Sequence, residues 1–297
     1  MQPMPLTKSL RSIAWSVLAA AFLPILVVAQ VPPTNVPMTP SPHPFLDGST
    51  LYAWGSLAGK PTGIGYYRPV VDAVIPTMER FEMHVTTLNP GMISHLPHHH
   101  PQEELILIKD GTLESSINGR KDRVGAGSVL FFASHDVHNV TNVGDRPATY
   151  YVINFYTAAT AAVRNQPAAD WAPPGTLRSC ALGWDSLQPT TMAAGAKRYS
   201  YVDSPTLTFA RLEIHATTMP PGGPASPVHH HPWLEVIVIR EGSLEFNLNG
   251  LRQTAGPGSI MYIAPNTLQS SRNPGTVPAT YTVFSVASAA SNAAPNS

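Results

Sequence analysis

The chain has 297 residues, a formal net charge of zero and a charged fraction of only 12%. Because it contains no basic block, it lacks the electrostatic signature of a nucleic-acid-binding protein. Its 31 prolines and 21 glycines favour many turns and short strands over long helices, and the length is sufficient for two domains with separate cores.

The N-terminus has the pattern of an export signal. Lys8 and Arg11 precede an apolar run at residues 13–28, which is short for a membrane-spanning helix. Small residues then precede Gln30, as they do at a signal-peptide cleavage site. The pattern predicts a signal peptide at residues 1–29 and a periplasmic or secreted protein with no membrane attachment after cleavage. An uncleaved membrane anchor is the alternative.

The remainder is predicted to form two domains with connecting segments. The single cysteine, Cys180, excludes an internal disulfide. The predicted boundaries are a proline-rich segment at 30–48, a first domain at 49–157, a linker at 158–175, a second domain at 176–288 and a disordered tail at 289–297.

The two domains are an internal duplication. A shift of 131 residues places His98 on His229 and Glu104 on Glu235, and the alignment needs no gap between residues 81 and 155. The same shift aligns "EMHVTT" with "EIHATT" and "RPATYYV" with "VPATYTV". Each half should therefore have the same fold.

Short β-rich runs separated by turn residues follow one another in each half. In the first half they are "FEMHVTTL", "ELILIK", "TLESSING", "SVLFFA" and "ATYYVINF". Asn118-Gly119 and Asn249-Gly250 are placed for tight hairpins. Residues 105–108 and 236–239 are apolar at every position, which is typical of strands covered on both faces. The pattern predicts an all-β protein made of two packed barrels or sandwiches.

Four side chains of the first half form a pattern typical of metal ligands. In the segment "HLPHHHPQEELILIKDG", His98 and His100 are two residues apart, so they lie on one face of an extended chain. Glu104 follows, and His138 comes from a later strand. Three imidazoles and a carboxylate suit a divalent metal of the Mn, Fe, Ni, Cu or Zn group. In a six-coordinate site they leave two positions open for substrate or oxygen.

These residues resemble the two motifs of the cupin superfamily. Residues 98–111 fit H-x-H-x3-E-x6-G, and residues 127–142 fit the second motif except for Ala133 in place of proline and His135 in place of glycine. The resemblance implies two tandem cupin barrels, each a double-stranded β-helix or jelly roll, and therefore a bicupin. It also implies one divalent metal, with Mn or Fe the first expectations.

The second half departs from this pattern at one ligand position. It retains His229, His231 and Glu235, but Gln269 stands where His138 stands in the first half. A glutamine oxygen is a weaker ligand for these metals, so the site is expected to be empty or weak. The alternative is that Gln269 is a true ligand, as glutamine is in the ureidoglycine aminohydrolases, which are also bicupins.

Further histidines flank the first site. His95 and His135 are predicted in loops beside the metal, where an imidazole could donate or accept a proton in catalysis. His84 and His215 share one repeat position and are predicted to be hydrogen-bonded histidines of the barrel wall.

Three functions are compatible with this pattern. The first is an exported metal-dependent oxidoreductase of the dioxygenase type that acts on a small organic acid or phenolic compound, as a monomer or homo-oligomer. The second is a Mn-dependent non-redox aminohydrolase, lyase or isomerase, and the third is a periplasmic module that binds a small molecule or metal. Oxalate decarboxylase chemistry is disfavoured, because its arginine position holds His95 and the segment "TAATAAV" contains no acidic lid residue.

The signal-peptide prediction has a direct test. After expression in a Gram-negative host, we expect the mature chain to begin near Gln30, since the apolar run resembles a cleaved signal. N-terminal sequencing of the periplasmic protein measures this. An intact Met1 in the membrane fraction would instead support the uncleaved anchor.

Overall fold

The computed structural model describes residues 43–223 and 227–293. The predicted signal peptide and most of the proline-rich segment lie outside these ranges. The predicted all-β class is confirmed, and no helix within the described ranges is long and apolar enough to cross a membrane.

The first half consists of short and medium strands, in agreement with the runs seen in the sequence. The strands are β1 (Thr50–Tyr52), β2 (Lys60–Thr62), β3 (Gly65–Ile75), β4 (Met78–Leu88), β5 (Glu103–Asp110), β6 (Thr112–Ile117), β7 (Arg120–Gly125), β8 (Val129–Phe132), β9 (His138–Asn142) and β10 (Ala148–Tyr156).

The second half repeats this series. Its strands are β11 (Cys180–Leu182), β12 (Thr190–Thr191), β13 (Lys197–Ser204), β14 (Arg211–Met219), β15 (Leu234–Glu241), β16 (Leu244–Leu248), β17 (Leu251–Ala255), β18 (Ile260–Ile263), β19 (Gln269–Arg272) and β20 (Ala279–Ala287). Single 3-10 turns occur at Trp54–Ser56, Thr160–Ala162, Ala168–Asp170, Trp184–Ser186 and Ala193–Gly195. A short helix, α1 (Ala289–Ala293), follows β20, where the sequence predicted the start of a disordered tail.

Each half pairs a seven-stranded antiparallel sheet with a three-stranded one. The large sheets have the orders β11-β8-β5-β10-β4-β3-β2 and β1-β18-β15-β20-β14-β13-β12, and the small sheets the orders β7-β6-β9 and β17-β16-β19. The predicted Asn-Gly hairpin turns close β6 on β7 and β16 on β17, and both residues of each turn have positive φ, as this turn type requires.

The all-apolar strands have their two faces in two different cores. Ile106 and Ile108 pack inside the first barrel with residues of the small sheet, whereas Leu105 and Leu107 face a core shared with the second half. Successive side chains of a strand point to opposite faces. Both faces are therefore covered, and the two large sheets pack against each other through the shared core.

The two halves also exchange a strand. β1, which precedes the first barrel, pairs with β18 of the second, and β11, which precedes the second barrel, pairs with β8 of the first. The predicted boundaries assign each of these strands to its own half, but in the structure each extends the large sheet of the other half. The exchange covers the edges of β8 and β18, which would otherwise present unpaired backbone groups.

A buried carboxylate adds a polar contact between the halves. Glu103 at the start of β5 is 1% exposed. It accepts hydrogen bonds from the hydroxyls of Thr206 and Thr208 and from the backbone N–H groups of Leu207 and Thr208. Burial raises the pKa of Glu103, and these hydrogen bonds oppose the increase. The equivalent residue of the second half is Leu234, so this contact occurs on one side only.

Removal of this carboxylate should destabilise the protein. We expect Glu103→Ala to lower the free energy of unfolding by about 2–4 kcal/mol, because it leaves several buried donors without an acceptor. Glu114→Ala is the control, since it removes a partly exposed ion pair with Lys121 and should cost less than about 1 kcal/mol. Denaturant titration measures both variants, and equal losses would show that the Glu103 contact does not stabilise the fold.

Candidate metal centre

Three histidines converge at one end of the first barrel. The ligand nitrogens of His98, His100 and His138 all lie within 4.8 Å of one another. Glu104 is close by, with one carboxylate oxygen 3.4 Å from His100 Nε2 and the other 3.9 Å from His138 Nε2. The structure therefore brings together the four ligands predicted from the motif spacing.

Backbone pairing places these residues. His98 and His138 exchange two hydrogen bonds, with N–O distances of 3.2 and 2.9 Å, in an isolated antiparallel bridge. This bridge joins the segment before β5 to the start of β9, so residues 40 positions apart become neighbours. Glu104 lies on β5, where it pairs with Phe132 and Asn154 on the neighbouring strands.

Backbone carbonyl oxygens orient all three imidazoles. Nδ1 of His98 lies 3.1 Å from the carbonyl oxygen of His138. Nδ1 of His100 lies 2.9 Å from the carbonyl oxygen of Gln102, and Nδ1 of His138 lies 2.8 Å from that of Asp136. Because a carbonyl oxygen only accepts, Nδ1 is the nitrogen that carries the hydrogen in the neutral form of each ring, and the lone pair is then on Nε2. This is the tautomer that binds a metal through Nε2.

His138 lies deepest in the site. Its side chain is 2% exposed and stacks on Phe132 at a ring distance of 4.2 Å. Burial lowers its pKa to about 4, so the ring is neutral at physiological pH. Its Nε2 is buried without a hydrogen-bond partner, which is costly unless the atom meets a ligand.

Glu104 supplies the negative charge. Burial by itself would raise the pKa of this carboxyl, but the hydrogen bond with His100 and the nearby histidines outweigh that effect and lower the pKa. The group is therefore a carboxylate at neutral pH. The site therefore offers three carbonyl-oriented imidazoles, including His138 with its unpartnered Nε2, and one carboxylate. This set of donors fits a divalent transition metal.

The ligands lie beside a cavity of about 340 Å³ within the first barrel. Glu104 and His138 contribute to its wall, and most of the other wall residues are aromatic, aliphatic or hydroxyl-bearing. They are Thr62, Ile64, Tyr66, Tyr67, His84, Thr86, Ser94, His95, Ile106, Phe132, Asn139, Val140, Tyr150 and Val152. The volume is sufficient for a small organic molecule next to the metal position.

The two predicted catalytic histidines have different surroundings. His95 lies on the cavity wall, and its ring packs edge-on against His98 at 4.2 Å. His135 instead pairs with His99, with their Nδ1 atoms 3.0 Å apart. It adopts the left-handed backbone conformation, with φ of 59°, at the motif position where cupins have glycine. The structure thus brings His95 to the cavity and directs His135 toward His99, outside the cavity wall.

An exchanged segment fixes the loop that carries His138. Ser179, next to β11, accepts a hydrogen bond from the backbone N–H of Ala133 and donates one to the Asp136 carboxylate. Asn118 donates a second hydrogen bond to the same carboxylate. Since the Asp136 carbonyl orients His138, a residue of the second half supports a ligand of the first. Sequence reasoning did not identify Ser179, because this contact depends on the strand exchange.

The second half has the same backbone bridge but a different side-chain arrangement. His229 and Gln269 form the bridge equivalent to His98–His138. The Gln269 amide donates to one Glu235 oxygen at 2.6 Å, and the Ser285 hydroxyl donates to the other at 2.8 Å. His231 Nε2 lies 3.8 Å from Glu235, and its ring stacks on Trp233. Glu235 therefore has protein partners for both oxygens.

Within the described residues, metal-ligand side chains form a tight cluster of three only in the first half. The predicted alternative set of His229, His231, Glu235 and Gln269 lines a cavity of about 270 Å³ without forming an equivalent cluster. The physical difference is that Gln269 directs its amide N–H toward Glu235, so the position of the fourth imidazole is occupied by a hydrogen-bond donor.

His84 lines the cavity beside the metal-ligand cluster, which its sequence position did not indicate. It was predicted to be a hydrogen-bonded wall residue. It lies on the wall of the metal cavity, and its Nδ1 is 2.8 Å from a Glu82 oxygen. The available signal was the E-x-H pattern, which occurs at 82–84 and again at 213–215.

Comparison with known proteins identifies the family of both halves. The family described as "Cupin domain" matches residues 84–154 and 215–285. No curated protein matches the sequence.

Three of the solved structures that match this chain illustrate the shared fold. AerE from Microcystis aeruginosa is 15% identical, with a TM-score of 0.59 over 77% of this chain and 97% of its own. A mutant of oxalate decarboxylase OxdC from Bacillus subtilis is 15% identical, with a TM-score of 0.60 over 81% and 78%. YlbA from E. coli is 11% identical, with a TM-score of 0.61 over 80% and 90%. At these identities the similarity establishes the fold alone.

The unequal ligand sets predict unequal metal binding. We expect the full-length protein to hold about one tightly bound metal per chain, because only the first half has imidazoles at three of the four motif positions and a carboxylate at the other. His138→Gln should remove most of the bound metal, whereas Gln269→His should add metal in the second half by completing the same set there. Elemental analysis after dialysis measures the stoichiometry. Two tightly bound metals in the unmodified protein would show that Gln269 is a competent ligand.

Proposed function

This chain is a bicupin, and we propose that it is an exported metal-dependent oxidoreductase of the dioxygenase type that acts on a small organic acid or phenolic compound. The observation that carries the proposal is the convergence of three oriented imidazoles and one carboxylate beside a cavity of the first barrel. The buried, unpartnered Nε2 of His138 supports a ligand role for these residues over a purely structural one.

Four protein ligands support a catalytic site over a closed structural one. A divalent metal held by His98, His100, Glu104 and His138 would supply Lewis-acid and redox chemistry to a substrate oxygen and to O₂ at its open positions. The Mn(II) centres of the Bacillus oxalate decarboxylase make manganese a reasonable first choice, together with iron.

The cavity walls have two further roles in this proposal. Phe132, Ile106 and Val152 line the cavity beside Glu104 and His138 with apolar side chains, which would limit the access of water to a bound substrate and strengthen electrostatic interactions there. His95 offers a ring nitrogen within the same cavity, where it can donate a hydrogen bond to a bound substrate or accept one from it.

Oxalate decarboxylation remains a less favoured reaction for this chain. The position three residues before the first ligand holds His95 instead of an arginine, and residues 157–163 contain no carboxylate. A non-redox aminohydrolase, lyase or isomerase is the main alternative to the proposed chemistry, and it differs in having no need for O₂.

Oxygen uptake separates these possibilities. We expect the manganese- or iron-loaded full-length protein to consume O₂ with at least one member of a panel of small organic acids and phenols. His138→Gln should abolish most of this turnover because it weakens a ligand, and Gln269→His should retain it because residue 269 lies in the other cavity. Metal-dependent turnover under anaerobic conditions would favour the non-redox alternative. Loss of activity in Gln269→His with retention in His138→Gln would place the working site in the second half.

A further inference from the structure

A chain of three hydrogen-bonded side chains reaches the wall of the metal cavity. Asn154 donates its amide N–H to one oxygen of Glu82 at 2.8 Å, and the other Glu82 oxygen lies 2.8 Å from His84 Nδ1. All three side chains are largely buried; the side chains of Glu82 and His84 are 15% and 20% exposed. The tertiary fold, rather than sequence proximity, brings Asn154 to this pair, because β10 pairs with β4.

This arrangement fixes the orientation and tautomer of His84. A carboxylate accepts hydrogen bonds, so the Nδ1 of a neutral His84 carries the hydrogen and Nε2 carries the lone pair. The Tyr67 ring lies 5.0 Å from the imidazole and limits its rotation. Since Nδ1 is engaged by Glu82, Nε2 is the nitrogen that remains to meet a ligand in the cavity.

The second half repeats the residues but not the arrangement. His215 Nδ1 lies 2.9 Å from a Glu213 oxygen, but Glu213 also accepts a hydrogen bond from Arg198. Arg198 stands at the position that Tyr67 has in the first half. Ser285, at the position of Asn154, bonds to Glu235 instead. The carboxylate of the second half is therefore shared with a guanidinium. Only in the first half does the glutamate act on its histidine without a competing cation among the hydrogen bonds described.

The wall of the first cavity also limits the chemical class of its ligand. Tyr66, Tyr67 and Phe132 supply aromatic surface, and no lysine or arginine is among the described residues that line it. A small polyanion would therefore have only histidines and the metal to balance its charge. The second cavity, by contrast, is lined by Arg198 and Arg211. The first cavity is better suited to an uncharged aromatic or enolic molecule whose polar edge faces the ligands.

We propose that the first cavity binds a phenol or enol whose hydroxyl is hydrogen-bonded to His84, with Glu82 and Asn154 as positioning residues. This inference rests on the proposed function and selects the phenolic class within it. On binding, the substrate O–H bond breaks and an N–H bond forms at His84 Nε2. The Glu82 carboxylate stabilises the resulting imidazolium, and the substrate keeps the electron pair on its oxygen.

The test uses the full-length protein loaded with Zn²⁺, which permits binding without redox turnover, and nitrocatechol, whose visible spectrum changes on deprotonation. The unmodified protein should bind the probe and display the spectrum of its anion. His84→Phe retains the ring but removes both nitrogens, and it should weaken binding at least about tenfold and reduce the anion signal.

Two further variants complete the design. Glu82→Gln keeps the shape of the positioning residue but removes its charge, so it should shift both readouts in the same direction, by a smaller amount. Glu82→Gln also tests the proposal if His84→Phe does not fold. His215→Phe is the matched control in the second half and should bind the probe as the unmodified protein does. Elemental analysis verifies equal zinc content in all samples.

Two outcomes would overturn the inference. If folded, zinc-loaded His84→Phe and Glu82→Gln bind and deprotonate nitrocatechol as the unmodified protein does, His84 does not contact the substrate hydroxyl. If the zinc-loaded unmodified protein does not bind the probe, the phenolic class is wrong. Both results differ from a failure of the proposed function, which would appear as absence of bound metal or of metal-dependent oxygen uptake with every compound tested.

Discussion

The reciprocal exchange of β1 and β11 is the constraint on which the rest of this structure depends. Each strand extends the large sheet of the other half, so neither barrel completes its sheet with its own N-terminal strand. The two large sheets then bury one shared core, which includes Phe81, Phe155 and Tyr262. Equivalent contacts occur on the two sides: Trp54 donates its backbone N–H to Ser259, and Trp184 to Ser128, both at 3.0 Å.

This exchange extends to the metal centre through polar contacts. Ser179 holds Asp136, and Asp136 orients His138, whose Nε2 is buried without a partner. Such an atom costs about 1–3 kcal/mol when it has no ligand, so the surrounding fold must hold His138 in place. His135 has a φ of 59°, and its repeat equivalent Asn266 has a φ of 61°. The left-handed conformation therefore belongs to the turn that both halves share.

Duplication preserved the scaffold more faithfully than the chemistry. The two bridges, His98–His138 and His229–Gln269, have the same backbone geometry. A single change of side chain at residue 269 replaces an acceptor nitrogen with an amide that donates to Glu235. Glu104 is therefore available to a metal, whereas the equivalent Glu235 is hydrogen-bonded to Gln269. The two cavities differ as well, because the second includes Arg198 and Arg211.

The sequence by itself determined the duplication and the all-β class, and it predicted the four side chains that converge in the first half. These features follow from local rules: strand alternation places His98 and His100 on one face, and the fixed register relates His138 to Gln269. The tertiary structure decided the exchange of β1 and β11, the link of Ser179 to the ligand loop, and the joining of His84 to Asn154. These contacts connect residues 43 or more positions apart, and no periodic pattern specifies such partners. Backbone conformation also separated two histidines that the sequence treated alike, because the left-handed turn at His135 directs its ring to His99 while His95 reaches the cavity.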